Sequence, residues 1–251
     1  MSLAVDSSPR AISLLPLRYA IRELRSGLRG FYVFIACIAL GVMAIAGVGS
    51  LAGSLADGLA RQGRVILGGD LSFSRMHQPI EPNERTVLQR YGTVSAVMTM
   101  RAMARTADGR AALADVKAVD GLYPLTGAVT LDPAMPFADA LAQRDGVYGA
   151  VAAPDFLTRL SLKAGDRITI GGATFALRAA LASEPDKLAG GIGFGPRLIM
   201  SADGLAATGL IQPGSLVRYT YRVSLPAGSN SDATLEPMVA AARTALHDAG
   251  F

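Results

Sequence analysis

The feature that most constrains this chain is an uncharged apolar stretch near its N-terminus. Between Arg29 and Asp57, 27 residues carry no charged side chain, from Gly30 to Ala56. A helix needs about 20 apolar residues to cross the hydrocarbon core of a bilayer, so the stretch predicts a transmembrane helix over 30–56. A cleaved signal peptide shares the pattern of a basic segment before an apolar run. It fits less well, because its apolar run is usually about 7 to 15 residues long.

Most of the net charge of +4 lies before this stretch. Residues 1–30 contain five arginines and two acidic residues, which leaves only +1 for the remainder of the chain. Positive residues accumulate on the cytoplasmic side of a span, so we expect a cytoplasmic N-terminus and a plasma-membrane protein. The sequence pI of about 9.5 therefore does not indicate nucleic-acid binding, and we expect no nucleic-acid partner.

Residues 1–29 form a basic segment with helical periodicity. Leucine and isoleucine recur at three- and four-residue spacing from Leu14 to Leu28, while arginines fill the other face. Such a helix is expected in the cytoplasmic interface with its arginines on anionic lipid headgroups, which makes membrane lipid a partner. Contact with a cytoplasmic partner protein and a simple anchoring role both remain open. The residues assigned to membrane orientation and possible partner contact are Arg18, Arg22, Arg25 and Arg29.

The span also carries small residues at helical spacing, including a GxxxG pair. Small residues let helices approach closely in lipid, so this stripe predicts packing against other transmembrane segments. Chance placement in a chain rich in alanine and glycine explains the pattern equally well. The residues assigned to helix packing are Ala39, Ala46, Gly49 and Gly53.

Beyond the span, over 57–251, the pattern changes to alternating strands, turns and helices. The first helix is predicted to continue to about Ile66 and to stop at Gly68 and Gly69. These elements sum to an α+β domain of about 190 residues in two lobes. The predicted strands are 70–75, 93–106, 110–119, 147–152, 168–170, 174–181, 197–200 and 216–225, and the predicted helices are 81–89, 154–160 and 234–249.

Motifs for catalysis, nucleotides or metals are missing from the sequence. No lysine follows a glycine, so the chain lacks a GxxxxGK[ST] phosphate loop. His77 and His247 are isolated, and the glycines of 190–195 have the wrong spacing for a dinucleotide-binding motif, so we interpret that segment as a flexible loop. Glu184 and Asp186 could form an acid/base pair, but the intervening proline indicates a turn. We expect no enzyme activity, no cofactor and no metal.

Several segments together carry a family resemblance. The N-terminal order is LRYAIRELRSGLRG, the apolar stretch, ADGLARQGR and LGGDLSFS. Further along stand VDGLYPL, LSLKAGDRITIGGATFAL, ALASEPD and GFGPRLIMSADGLAATGLIQPGSLVRYTYRV. Over nearly the whole chain these segments resemble the N-terminal part of FtsX-like ABC transporter permeases with a MacB-like periplasmic core domain, of the YbbP type.

The resemblance implies the N-terminal fragment of a permease subunit in a bacterial inner-membrane ABC exporter. It implies two partners, a cytoplasmic ABC ATPase subunit and the other transmembrane segments of the permease. It also implies that ATP hydrolysis is coupled to movement of a two-lobed periplasmic domain acting on lipid, lipoprotein or other envelope substrates. One lobe would combine the β-α-β-β unit with the last strand and helix, and the other would hold the middle hairpins.

Two other interpretations remain open. A single-span, membrane-anchored periplasmic sensor or binding scaffold, complete in itself, would have the same features, and a reading frame that ends at Phe251 would favour it. A secreted enzyme with a cleaved leader would have a mature N-terminus after about Ala52.

Overall fold

The protein is described by a computed structural model over residues 15–187, 195–226, 228 and 232–246. The chain divides into two units, Met1–Leu59 and Ala60–Phe251. A 53-residue helix, α1, spans Leu15–Leu67 and contains the basic segment, the apolar stretch and the predicted continuation. Gly68 ends this helix with a φ of 76°, a left-handed conformation that glycine adopts without steric cost.

The apolar part of α1 is the candidate membrane span. Among the described residues, one segment, Phe31–Ser54, is long and apolar enough to cross a membrane, and none of it is buried by the rest of the protein. Large apolar side chains such as Leu40 and Ile45 are exposed all around it. The structure therefore agrees with the length and place of the apolar stretch found in the sequence.

The second unit is built on a mixed sheet, which has nine strands in the described part of the chain. The strands are β1 Leu71–Met76, β2 Thr93–Thr106, β3 Ala111–Val119, β4 Thr130–Asp132, β5 Tyr148–Ala152, β6 Arg167–Ile170, β7 Ala173–Ser183, β8 Arg197–Ser201 and β9 Arg218–Ser224. Their order is β1-β9-β2-β3-β8-β5-β7-β4, and β6 pairs with both β2 and β7. The pairs β3–β8 and β5–β7 are parallel, and the other pairs are antiparallel.

Five helices accompany the sheet in the described residues of this unit. They are α2 Pro82–Gln89, α3 Phe137–Leu141, α4 Pro154–Leu160, α5 Ala202–Ala207 and α6 Asp232–Ala245. Together with the strands they confirm the α+β class predicted from the sequence.

Alternation along β2 separates the two faces of the sheet. Ala102 and Ala104 point into the core, whereas Arg101, Met103 and Arg105 are exposed on the reverse face. The even-numbered face of β2 packs on two apolar clusters. The first, called the terminal cluster, lies between β1, β9, α2 and α6. The second, called the central cluster, lies between β3, β5 and β8 and the helices α4 and α5.

The terminal cluster holds β1, β9, α2 and α6 of the first predicted lobe, but β3 of that lobe packs in the central cluster, and one continuous sheet runs through both. A third cluster, the reverse cluster, lies on the opposite face under α3 and β4, and includes Val97, Tyr123 and Ile199. Beside this cluster, the reverse face also carries a group of charged side chains, which form the site described below.

Three short elements differ from the sequence prediction. β4 and α3 lie within 120–146, where no strand or helix was predicted, and α5 follows a strand without being foreseen. Each has at most six residues, too few to establish a hydrophobic period. The last helix ends at Ala245, earlier than the predicted 249, and residues 247–251 lie outside the described part.

Candidate functional site

Six charged side chains meet on the reverse face of the sheet and form a buried charge network. Three are cationic and three are anionic, so their formal charges cancel. They are Asp115 and Lys117 of β3, Glu184 and Asp186 after β7, Arg197 of β8, and Arg222 of β9.

Lys117 is the centre of this charge network. Its side chain is 3% exposed, and its Nζ lies 2.9 Å from Glu184 Oε2 and 2.7 Å from Asp186 Oδ1. It also donates to the Tyr123 hydroxyl at 2.8 Å and lies 4.5 Å from the centre of that ring. An ammonium has three donors, and these three side chains satisfy them.

The two arginines close the network from either side. Arg197 bridges two carboxylates, with Nε 3.0 Å from Glu184 Oε1 and Nη1 2.7 Å from Asp115 Oδ2. Arg222 pairs through Nη1 with Asp186 Oδ2. Asp186 also accepts a hydrogen bond from the Tyr123 hydroxyl.

Strand geometry explains how these residues come together. Asp115 and Lys117 are two residues apart on one strand, so both side chains point to the same face. The parallel register of β3 and β8 places Asp115 opposite Arg197. The chain leaving β7 at Ser183 then brings Glu184 and Asp186 onto that face.

The end of α1 also contacts this network. A Cβ atom built on Gly68 would lie 2.8 Å from Arg222 Nη1, and one on Gly69 would lie 3.1 Å from the Val223 carbonyl oxygen. The following residue, Asp70, accepts a hydrogen bond from the Leu225 N–H at 2.8 Å. The Gly-Gly-Asp sequence thus allows the backbone after α1 to pack directly on β9.

Burial and neighbouring charges shift the pKa values of three groups in or beside the network, Asp186, Tyr123 and Lys117. Burial favours the neutral form of Asp186, but the charges of Lys117 and Arg222 outweigh it and lower the pKa of this carboxyl. Burial and the nearby Asp186 raise the pKa of the Tyr123 hydroxyl, which therefore remains a neutral donor. For Lys117, burial lowers the pKa, and the carboxylates of Glu184 and Asp186 counteract that shift.

Glu184 and Asp186 are thus not arranged as an acid/base pair, because each carboxylate is ion-paired with a cation. The turn predicted from the intervening proline is present, but the burial of both carboxylates was not foreseen. In the described part of the chain, no group of three or more His, Cys, Asp or Glu side chains could hold a metal ion. The expectations of no enzyme activity and no metal stay predictions.

The residues assigned a role from the sequence lie elsewhere, on α1. Arg18, Arg22, Arg25 and Arg29 are helical in their backbone, and their side chains lie outside the described part. Ala39, Ala46, Gly49 and Gly53 are exposed on the span, and a Cβ atom on either glycine would meet nothing within 4 Å. Their proposed contacts with a partner and with other transmembrane segments therefore stay predictions.

The two histidines are not part of the charge network. His77 is exposed, and its Nδ1 lies 3.2 Å from the Ser215 carbonyl oxygen. His247 and most of the glycine-rich loop, 190–194, lie outside the described residues.

A sequence signal for the network does exist, although it is weak. Lys117 interrupts the otherwise apolar end of β3, and a lysine within a buried strand requires a nearby countercharge. Its partner Glu184 is 67 positions away, so sequence spacing gives no hint of the pairing.

Comparisons with known proteins place this chain beside ABC transporter permeases. No family model matches it. A sequence relative is YbbP of Escherichia coli (strain K12), described as an uncharacterized ABC transporter permease, which is 28% identical over 205 residues. The match covers 82% of this chain but only 24% of that protein, so the chain spans about a quarter of its relative. The resemblance to ABC transporter permeases stated from the sequence is confirmed.

Two solved structures are also similar to the chain. One is the extracellular domain of the noncanonic ABC-type transporter YknZ from Gram-positive bacteria, with 12% identity, coverage of 70% of this chain and 83% of that one, and a TM-score of 0.47. The other is the periplasmic region of MacB from Actinobacillus actinomycetemcomitans, with 13% identity, coverage of 67% and 75%, and a TM-score of 0.43.

Proposed function

We propose that this chain is the N-terminal part of a permease subunit of an inner-membrane ABC transporter. The observation that carries the proposal is the sequence similarity to an ABC transporter permease over 205 residues, which is 82% of the chain. In this proposal α1 crosses the membrane with its basic end in the cytoplasm, and the α+β domain is periplasmic. A partner ATPase binds nucleotide, and this chain converts its cycle into movement of the domain.

The continuity of α1 supports this form of coupling. The helix spans Leu15–Leu67, and its last turns belong to the same unit as the α+β domain. Directly after it, Gly68 contacts Arg222, which pairs with Asp186. A displacement of the helix end would therefore act on a buried network that ties β9 to β3 and β8, rather than on a loose linker.

The arginines of the basic segment are proposed to contact the ATPase as well as anionic lipid. Their charge suits headgroups and acidic protein surfaces equally. The substrates proposed for the transporter are lipids, lipoproteins or other envelope molecules, and export is the proposed direction.

Co-purification tests the ATPase partnership. The full chain, tagged and expressed in its native host, is expected to recover an ABC ATPase that mass spectrometry identifies by its phosphate-loop peptides. Replacement of Arg18, Arg22 and Arg25 by glutamine is expected to reduce that recovery severalfold. A matched control replaces three exposed arginines of the domain, Arg90, Arg105 and Arg159.

Equal recovery from both triple variants would contradict contact through the basic segment. Absence of any ABC ATPase from the unmodified chain would contradict the permease proposal itself. That second result would favour a membrane-anchored sensor or binding scaffold.

A further inference from the structure

A cavity of about 200 Å³ opens beside the charge network, on the reverse face of the sheet. Nine of its lining side chains are polar: four are cationic, four carry hydroxyl groups, and one is a carboxylate. The cations are Lys117, Arg197, Arg218 and Arg222, the hydroxyl residues are Ser72, Ser74, Thr99 and Thr220, and the carboxylate is Asp186.

Arg222 lines this cavity and is almost fully buried. The residue is 4% exposed, and its Nε has no hydrogen-bond partner among the described residues. A buried donor without an acceptor lowers stability, because it has lost its hydrogen bonds to water. An acceptor oxygen from a bound molecule would satisfy it.

Arg218 supplies a positive charge beyond those of the balanced network. It lines the cavity from β9 and is exposed, and no ion pair to it occurs in the described part of the chain. Because the six network charges cancel, Arg218 makes the cavity and its immediate surroundings net positive. The negative charge of Asp186 is held by Lys117 and Arg222 and opposes an anion only weakly.

We propose that this cavity binds a small oxyanion of the phosphate class. Such a group presents only acceptor oxygens, which complement guanidinium and hydroxyl donors. A drug-sized ligand usually occupies about 300–1,000 Å³, so the cavity is suited to a smaller group. The oxyanion could be a free ion or the phosphate of a lipid headgroup. This inference does not rest on the proposed transport function.

Calorimetric titration of the full chain with inorganic phosphate tests the proposal. The chain is placed in nanodiscs of phosphatidylcholine, and ionic strength is held constant with sodium chloride, because nonspecific attraction depends on salt. The unmodified chain is expected to bind phosphate saturably. Arg218→Gln is expected to weaken binding roughly fivefold, the effect of losing one exposed charge contact.

A matched control and a second variant make the test specific. Arg105→Gln removes an exposed arginine from the same face of the sheet outside the cavity lining, and it is expected to leave the affinity unchanged. Ser72→Asp places a carboxylate opposite Arg222 across the β1–β9 pair and is expected to abolish binding. Ser72 is exposed, so this change tests the site without emptying the core.

No saturable binding by the unmodified chain would overturn the proposal, as would equal weakening by Arg218→Gln and Arg105→Gln. Nanodiscs that also contain phosphatidylglycerol identify the source of the oxyanion. A lower apparent affinity for phosphate in these discs would support occupation by a lipid headgroup, and an unchanged affinity would support a free oxyanion.

Discussion

The apolar stretch of α1 exposes large apolar side chains, whereas the α+β domain buries charged ones. In the span, Ile45 is 77% exposed and Leu40 is 71% exposed, whereas in the domain Lys117 is 2% and Asp186 is 1% exposed. Exposed apolar area is unfavourable in water by about 25 cal/mol per Å², so the span requires lipid or other helices around it. Buried charges require partners within the fold, and the network supplies them. The comparison shows that the span depends on its surroundings and the domain on its internal pairing.

The largest expected effect comes from removing the central cation of the network. Lys117→Met leaves Glu184 and Asp186 without their shared partner, and breaking a buried ion pair in this way costs about 3–5 kcal/mol. The free energy of unfolding of the domain, measured by denaturant titration with tyrosine circular dichroism, is expected to fall by that amount. Ile45→Ala in the span is the control, and an equal loss in both variants would contradict the comparison.

Glycine substitutions are expected to affect the stability of the two regions differently. A Cβ atom on Gly171 would lie 2.2 Å from the Thr208 carbonyl oxygen, and this glycine has a φ of 54°. Gly171→Ala is therefore expected to lower the free energy of unfolding by about 2 kcal/mol or more. Gly49→Ala meets nothing within 4 Å and is expected to leave it unchanged. Thermal melting of both variants in detergent measures the effect as a change in melting temperature. An unchanged melting temperature of Gly171→Ala would contradict the tight contact between this glycine and the Thr208 carbonyl.

Acid is expected to weaken the domain through Asp186. Its pKa is lowered because Lys117 and Arg222 outweigh the opposing effect of burial, so its ion pairs stabilise the fold fully above the ordinary value of 3.8. That contribution is lost as the pH falls below this value toward the lower pKa of the folded state. The melting temperature, followed from pH 6 to pH 2, should drop in the acid range.

Matched variants assign that acid dependence. Asp186→Asn should start from a lower melting temperature and show a shallower decline in this range. Asp155→Asn changes an exposed aspartate of α4, outside the network, and should keep the original profile. Identical profiles for Asp186→Asn and the unmodified chain would show that Asp186 does not cause the acid dependence.

The smallest expected effect concerns the small-residue stripe of the span. Gly49→Leu with Gly53→Leu fills the space through which another helix could approach, because small residues are what let helix backbones come close in lipid. Recovery of the proposed ATPase partner from membranes is expected to fall. Gly47→Leu, on another side of the same helix, is the control, and equal recoveries would favour chance placement of the stripe.

Long periodic segments could be predicted from the sequence, and long-range pairing could not. The strands predicted over 93–106 and 110–119 lie within one residue of the observed bounds, because burial of one face repeats along the chain. The glycines at 68 and 69 were identified as a helix stop from their type alone. That Gly68 also packs on Arg222 depends on strand β9, more than 100 residues away, and no local pattern contains that information.

The charge network illustrates the same limit. Lys117, Glu184 and Arg222 occupy three separate segments, and each residue type is ordinarily a surface residue. Only the order of strands in the sheet brings them together. β4 and α3 were missed for a different reason, because elements of three and five residues are held by their neighbours rather than by their own periodicity.

Cysteine accessibility tests the central claim, that α1 crosses the membrane with the basic end in the cytoplasm and the domain outside. The chain has one cysteine, Cys37, so Cys37→Ser provides a background for single cysteines at Ser8 and at the exposed Ala107. With a membrane-impermeant maleimide, spheroplasts should label Ala107→Cys directly and Ser8→Cys only after lysis. Labelling of Ser8→Cys in intact spheroplasts, with Ala107→Cys protected, would contradict the proposed orientation and the periplasmic location of the domain.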